Sequence, residues 1–183
     1  MKSEEGIRKL ELESIIRNIP DFPKPGVQFK DITTLLQDKE GFRESISWMS
    51  SLFRDKQIDK VVAVESRGFV FGAPVAYEIG SGLALIRKKG KLPSGTVSIK
   101  YDLEYGSDEL EMHSDSVAPG ERVAIIDDLL ATGGPTQAAI ELLERVDANI
   151  VGISFLIELE GLGGREKLKD YPAFSRVKFN INE

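Results

Sequence analysis

The sequence predicts an α/β protein with a mainly parallel sheet flanked by helices, and three stretches carry that prediction. Lys60-Val61-Val62-Ala63-Val64 is a β-branched run that ends in the polar turn Glu65-Ser66-Arg67-Gly68 and is followed by the apolar stretch FVFGAPVAYEIG, a strand-turn-helix unit. Val123 to Ile126 repeats the arrangement, with two acids, a loop from Leu129 to Gly134 and a helix carried by Gln137 to Arg145. Ile150 to Leu159 reads as another buried strand. Apolar strands alternating with helices belong to covered parallel sheets, which bind ligands beyond the carboxyl ends of their strands.

The remaining elements follow in chain order. Within residues 4–19, Ile7, Leu10, Ile15 and Ile19 recur at helical spacings among charges, so a short amphipathic helix is expected. PDFPKPG, with three prolines and a glycine in residues 20–26, ends it and leads in turned or extended form into Val27 to Lys30. Asp38 is placed to cap a helix on which Phe42, Ile46, Met49 and Phe53 form one apolar stripe suited to a sheet. Leu83 to Ile86 reads as a strand before the basic loop Arg87-Lys88-Lys89-Gly90-Lys91. TVSIKY and DELEMH alternate in the manner of an exposed hairpin rather than of buried parallel strands, and Ala118-Pro119-Gly120 is a turn. With no internal repeat, low-complexity tract or linker, the 183 residues are expected to form a single domain.

Composition narrows the function. A balance of 24 Lys and Arg against 30 Asp and Glu, net −6, repels a nucleic-acid backbone. The absence of cysteine excludes disulfides, zinc-thiolate sites and cysteine nucleophiles, and the single histidine, His113, cannot build a multi-histidine metal site. The N-terminal MKSEEGIRKL has no apolar leader segment, and no apolar run approaches the roughly 18 residues that cross a bilayer. A cytoplasmic protein with neither nucleic-acid nor membrane partners is expected.

The chemistry concentrates in VAIIDDLLATGGPTQAAIELL, residues 123–143. Backbone N–H groups of Ala131 to Gly134 and the Thr132 hydroxyl can surround a phosphate at the positive end of the next helix, and the adjacent carboxylates suit two vicinal sugar hydroxyls. The segment lacks the GK[ST] ending of a Walker A loop and is not GxGxxG, which argues against an ordinary ATPase or dehydrogenase.

DFPKPGVQFKDIT, ESRGFVFG, IRKKGKLP, YDLEYG, DDLLATGG and LGGREKL, in that order, closely resemble segments of the type I phosphoribosyltransferases, in the form found in the adenine-using members. The resemblance spans nearly the whole chain. It implies purine salvage, with transfer of the 5-phosphoribosyl group from phosphoribosyl pyrophosphate (PRPP) to adenine, giving AMP and pyrophosphate. It implies a type I phosphoribosyltransferase-like fold with a small N-terminal hood over residues 1–35 and a flexible β-lid over residues 95–113. It further implies Mg²⁺ held mainly through PRPP and pyrophosphate oxygens, without direct protein ligands, and a homodimer.

Residue by residue, the resemblance assigns Asp127 and Asp128 to the ribose hydroxyls and Ala131, Thr132, Gly133, Gly134, Pro135 and Thr136 to the 5′-phosphate. Ser66 and Arg67 lie in the implied pyrophosphate loop, where a cis peptide is expected between residues 65 and 67. Arg87, Lys88 and Lys91 form a second pyrophosphate cluster, from which one basic side chain reaches the neighbouring subunit. Gln28, Phe29 and Lys30 match the adenine pocket, Glu104 the catalytic carboxylate and Tyr105 a lid residue. LGGREKL is expected to be structural, near the base-binding end. Two positions depart from the family pattern: Pro135 stands where threonine is usual, removing a donor and a hydroxyl, and Lys30 stands where many relatives have arginine. A transferase for another base, or a non-catalytic nucleotide sensor on the same fold, are the alternatives.

Overall fold

The computed structural model describes residues 11–102 and 106–181, which fall into two compact units divided between Ser45 and Ile46. In the first, α1 (Leu12–Ile15) precedes a two-stranded antiparallel sheet of β1 (Arg17–Pro20) and β2 (Gln28–Asp31), and α2 (Thr33–Gln37) follows. The helix expected over residues 4–19 is therefore a single turn within the described part, and Arg17 to Pro20 are strand. Such a short helix gains too few hydrogen bonds to outweigh its nucleation cost. Cross-strand chemistry wins instead: Arg17 donates from Nε and Nη2 to Asp31 Oδ2 at 3.0 and 2.7 Å. Asp38 acts as the expected cap, accepting from the Gly41 N–H at 2.7 Å at the start of α3 (Lys39–Ser51).

The second unit holds seven strands: β3 (Lys60–Val64), β4 (Gly82–Lys88), β5 (Thr96–Asp102), β6 (Ser107–His113), β7 (Arg122–Leu130), β8 (Asn149–Glu160) and β9 (Ala173–Asn180). Their order in the sheet is β5-β6-β4-β3-β7-β8-β9. Strands β4, β3, β7, β8 and β9 run parallel, and the β5–β6 hairpin continues the sheet antiparallel from β4. Helices α4 (Gly68–Ile79) and α5 (Gly134–Glu144) cover it. Val62 and Val64 join Ala138, Ala139 and Leu142 of α5 in one apolar cluster. On α4, Gly72 lies so close to the sheet that a Cβ there would stand 2.6 Å from the Ala63 Cβ. Successive strand residues face opposite sides, so α4 and α5 cover opposite faces and β3 is buried on both. From the helix stripe, Ile46, Met49 and Phe53 are buried, and the Phe53 ring packs against Gly152 of β8.

Several boundaries differ from expectation for one reason: hydrogen-bonded partners, not local composition, decide where a strand stops. Asp127 and Asp128 lie inside β7, because β8 keeps pairing with it as far as Leu130 opposite Glu158, after β3 has left at Ala63 opposite Ile126. Arg87 and Lys88 are strand residues of β4, opposite Glu111 and Leu110 of β6, rather than loop. The β5–β6 hairpin is antiparallel as expected but not exposed throughout, since Ile99, Leu110 and Met112 are buried in the core. Helix α5 begins at Gly134, three residues before Gln137, and β9 has no counterpart among the expected elements. No helix among the described residues is long and apolar enough to cross a membrane.

Candidate active site

Where β3 ends and β7 runs on, the chain leaves a crevice at the carboxyl ends of the parallel strands, next to the point where strand order reverses about β3. A cavity of about 490 Å³ lies there, walled on one side by Glu65, Ser66 and Arg67 and on another by Asp127 and Asp128. The Glu65–Ser66 peptide is cis, as expected. Gly68 opens α4 directly after this turn, and a Cβ on it would stand 2.8 Å from Asp127 Oδ1 and 3.0 Å from the Ile126 carbonyl oxygen. Only glycine lets the positive end of α4 come so near the carboxylate.

Both acids are nearly sealed from solvent, Asp127 at 8% and Asp128 at 4% exposure. Asp127 Oδ1 accepts the Asp128 backbone N–H at 2.8 Å. Asp128 Oδ2 forms an ion pair with Arg67 Nε at 3.0 Å but has no aligned hydrogen-bond donor among the described residues. Burial, followed by the neighbouring charge of Asp128, pushes the Asp127 carboxyl well above the ordinary aspartate range. Burial also raises Asp128, against the opposing pull of Arg67. The pair thus presents under-satisfied acceptor oxygens to a cavity, the state in which a ligand's hydroxyl donors are most strongly favoured.

The far wall is backbone. Gly133 adopts a left-handed conformation (φ 76°) and caps α5, and the Gln137 N–H bonds back to its carbonyl at 2.9 Å. Ala131, Thr132, Gly133, Pro135 and Thr136 line the cavity, while Gly134 lines a smaller one of about 300 Å³ beside Lys100 and Gln137. Pro135 lies in the first turn of α5, where its missing N–H costs the helix nothing but removes one donor from the rim. Thr136 is buried one residue later.

Of the basic cluster, Lys88 lines the cavity. Its Nζ pairs with Asp108 of β6 at 2.9 Å, and that hydrogen bond is the main reason its pKa is raised. Arg87 is turned aside, donating to Glu65 Oε2 at 3.2 Å and to the Lys91 carbonyl at 3.2 Å. Lys91 is exposed, and its backbone N–H is held by the buried Glu111 at 3.0 Å. Glu65 also accepts the Lys88 N–H at 2.8 Å and so fastens the end of β4 to the turn. Sequence reasoning missed Glu65 and Gly68, although a glycine opening a helix straight after a polar turn was a readable signal. It also missed Gly164, whose backbone packs against Ala131 and Gly133. The segment that contains Gly164 thus borders the loop that precedes α5.

The family model for the phosphoribosyl transferase domain matches residues 31–182. A curated adenine phosphoribosyltransferase of Clostridium tetani is 55% identical over 172 residues, 94% of this chain and 100% of that protein. The crystal structure of adenine phosphoribosyltransferase from Thermoanaerobacter pseudethanolicus aligns with a TM-score of 0.89 and 48% identity, covering 92% of this chain and 98% of that one. That from Saccharomyces cerevisiae, complexed with an imino-altritol bisphosphate and adenine, aligns at a TM-score of 0.85 and 37% identity, covering 91% and 96%.

The chain belongs to the adenine phosphoribosyltransferase family. The phosphoribosyltransferase match takes in every residue that lines the larger cavity. Gln28, Phe29 and Lys30 belong to β2 in the unit spanning residues 1–45. There Phe29 meets Phe22 edge-on, with ring centroids 5.1 Å apart, and Gln28 accepts from Asn18 at 2.8 Å. Glu104 and Tyr105 lie outside the described residues.

The raised Asp127 pKa has a stability consequence with a definite sign. The folded state binds this proton more tightly than the unfolded chain, so stability falls as pH rises from the ordinary aspartate value of 3.8 toward the folded value. Asp127→Asn keeps the acceptor for the Asp128 N–H and removes the buried charge. We expect its Tm to exceed that of the native chain at pH 7, with the gain shrinking as pH falls toward 3.8. Thermal unfolding across that range checks this, and a lower Tm at pH 7 would contradict it.

Proposed function

We propose that this chain is a purine-salvage transferase that moves the 5-phosphoribosyl group from PRPP to adenine, giving AMP and pyrophosphate. One observation carries the reading. A buried pair of hydroxyl-accepting carboxylates shares a cavity with a backbone phosphate cradle at a helix N-terminus and with a cationic wall of Arg67 and Lys88. A vicinal diol carrying phosphate groups on both sides matches that combination. The base follows from the name that the relatives share, among them the yeast protein solved with adenine.

In this reading Asp127 and Asp128 accept hydrogen bonds from the ribose hydroxyls, and the N–H groups between Ala131 and Thr136, with the two threonine hydroxyls, hold the 5′-phosphate. Ser66, Arg67 and Lys88 take the pyrophosphate, with Arg67 exchanging Asp128 for phosphate oxygens. Gln28, Phe29 and Lys30 line the adenine pocket. An adenine ring nitrogen bonds to C1′ as the bond from C1′ to the pyrophosphate oxygen breaks, the carbon inverts, and the ring proton passes to Glu104. Tyr105 closes over the reacting groups and excludes water. Among the described residues no three His, Cys, Asp or Glu side chains are grouped as a metal cage. With Glu65 engaged by Arg87 and the Lys88 N–H, the cavity offers a cation chiefly the carboxylates of Asp127 and Asp128, a sparse set that fits Mg²⁺, which keeps much of its coordination for water and phosphate oxygens. The ion would be held mainly by PRPP and would neutralise charge on the departing pyrophosphate.

A cytoplasmic homodimer completes the reading, the compartment resting on the cysteine-free composition. Support for the dimer comes from Val70, Tyr77 and Leu83, exposed apolar side chains of α4 and β4, and from Lys91, exposed and outside the lining of its own cavity.

Purified protein given PRPP, Mg²⁺ and one base at a time should release pyrophosphate with adenine at a kcat/KM about 100-fold or more above hypoxanthine, guanine or orotate. Preference for another base would remove the adenine assignment, and no turnover with any base would favour a nucleotide sensor. Glu104→Gln should lower the single-turnover rate by about 10²–10⁴-fold while PRPP binding, followed by calorimetry, changes little. An unaltered rate would remove Glu104 from the chemistry. Sedimentation should give twice the chain mass for the native protein and a shift toward monomer for Tyr77→Glu; a fully active native monomer would refute the shared site.

A further inference from the structure

We propose that the C-terminal turn of residues 161–168 sets the shape of the phosphate loop, with Gly164 and Arg165 as positioning residues for the 5′-phosphate end of the substrate. The proposal rests on the reading of Ala131 to Thr136 as that loop. Gly164 has ordinary right-handed dihedrals (φ −62°, ψ −37°), so its backbone alone does not call for glycine. Packing does. A Cβ there would overlap the Ala131 carbonyl oxygen and stand 2.9 Å from Leu130 Cδ1 and 3.0 Å from the Ala131 carbonyl carbon. The contact is reciprocal, because a Cβ on Gly133 would lie 3.0 Å from the Gly164 oxygen and 3.1 Å from its Cα. Two stretches of backbone therefore touch with no side chain between them, at Ala131 and again at Gly133.

The turn that makes this contact is itself held firmly. Arg165 Nε donates to Glu158 Oε1 at 3.0 Å, and Nη2 pairs with the other oxygen of the same carboxylate. Its Nη1 donates to the Ala173 carbonyl at 2.6 Å, and Nη2 also donates to Ser175 Oγ at 2.7 Å. Glu158 is buried in β8 directly opposite Leu130, the residue that leads into the phosphate loop. The guanidinium thus ties the turn to β8 and β9 at the level where the loop leaves β7. A backbone phosphate cradle works only if its N–H groups are fixed before the ligand arrives. Here the loop is clasped between its own strand and a turn anchored by a bidentate ion pair.

Calorimetry on the full chain separates this role from a general loss of structure, using ribose 5-phosphate for the loop and pyrophosphate for the opposite, cationic wall. Gly164→Ala should weaken ribose 5-phosphate by about tenfold or more, because displacements under 1 Å in a preorganised site are costly, and leave pyrophosphate within about twofold. In turnover the loss should appear mainly in KM for PRPP rather than in kcat. Arg165→Ala should show the same selective loss, and Arg165→Lys, which keeps the charge without the fork, a smaller one. Native affinity for ribose 5-phosphate in both Gly164→Ala and Arg165→Ala would overturn the proposal, as would equal weakening of the two ligands together with a lowered Tm. If the native chain bound pyrophosphate but not ribose 5-phosphate, the reading of the phosphate loop would fail first, and the proposal with it.

Discussion

Two adjacent carboxylates, Asp127 and Asp128, are buried at the end of β7, and the surrounding structure is arranged to tolerate them. Removing a carboxylate from water is costly unless charge and hydrogen bonds replace the lost hydration. Among the described residues that replacement comes from a backbone N–H, the Arg67 guanidinium at 3.0 Å, and the positive end of α4 brought close by Gly68. Burial accordingly pushes the pKa of each acid upward. A cost of this kind is tolerated at sites that gain from it when a ligand supplies the remaining donors.

That requirement explains features of the sheet that otherwise look arbitrary. The acids reach the cavity only because β7 outlasts β3, and β7 stays ordered past that point only because β8 pairs with it to Leu130. With β3 ending at Val64, its turn is free to bend so that Arg67 meets Asp128. Gly68 then has to be glycine, since any Cβ would strike the strand that carries Asp127. Strand lengths, a helix start and an ion pair are one interlocked solution.

The cavity's walls divide the work between charge and backbone. The acids and the cations Arg67 and Lys88 act through full charges, whereas the loop at the start of α5 offers N–H dipoles whose value lies in their placement. In a chain of net charge −6, Arg67 and Lys88 place two cations within the same cleft as the acids Glu65, Asp127 and Asp128. Lys88 also holds Asp108 of the β5–β6 hairpin, so an anion arriving at this wall competes with a contact to the strands that flank residues 103–105.

Much of this was legible in the sequence because it rests on local rules. The β-branched run at residues 60–64, the apolar run before Asp127 and the small-residue loop before α5 each announce strand, turn or helix start within a few residues, and together they predict the parallel sheet and the end of it that binds ligands. The order of the motifs along the chain carries the family resemblance by itself. What stayed hidden depends on partners far away in the chain. Arg17 to Pro20 are strand because Arg17 meets Asp31, β9 exists because β8 accepts it, and the hairpin's Leu110 and Met112 are core because β6 joins β4. Residue types at Glu65, Gly68 and Gly164 look ordinary in one dimension and become decisive only where two backbones, or a carboxylate and a strand end, approach within van der Waals contact. Sequence determined the kinds of element and the chemistry they carry, through short-range propensity and patterning. Tertiary structure alone decided which of those groups meet, because close approach and burial are set by the whole sheet and not by any segment of it.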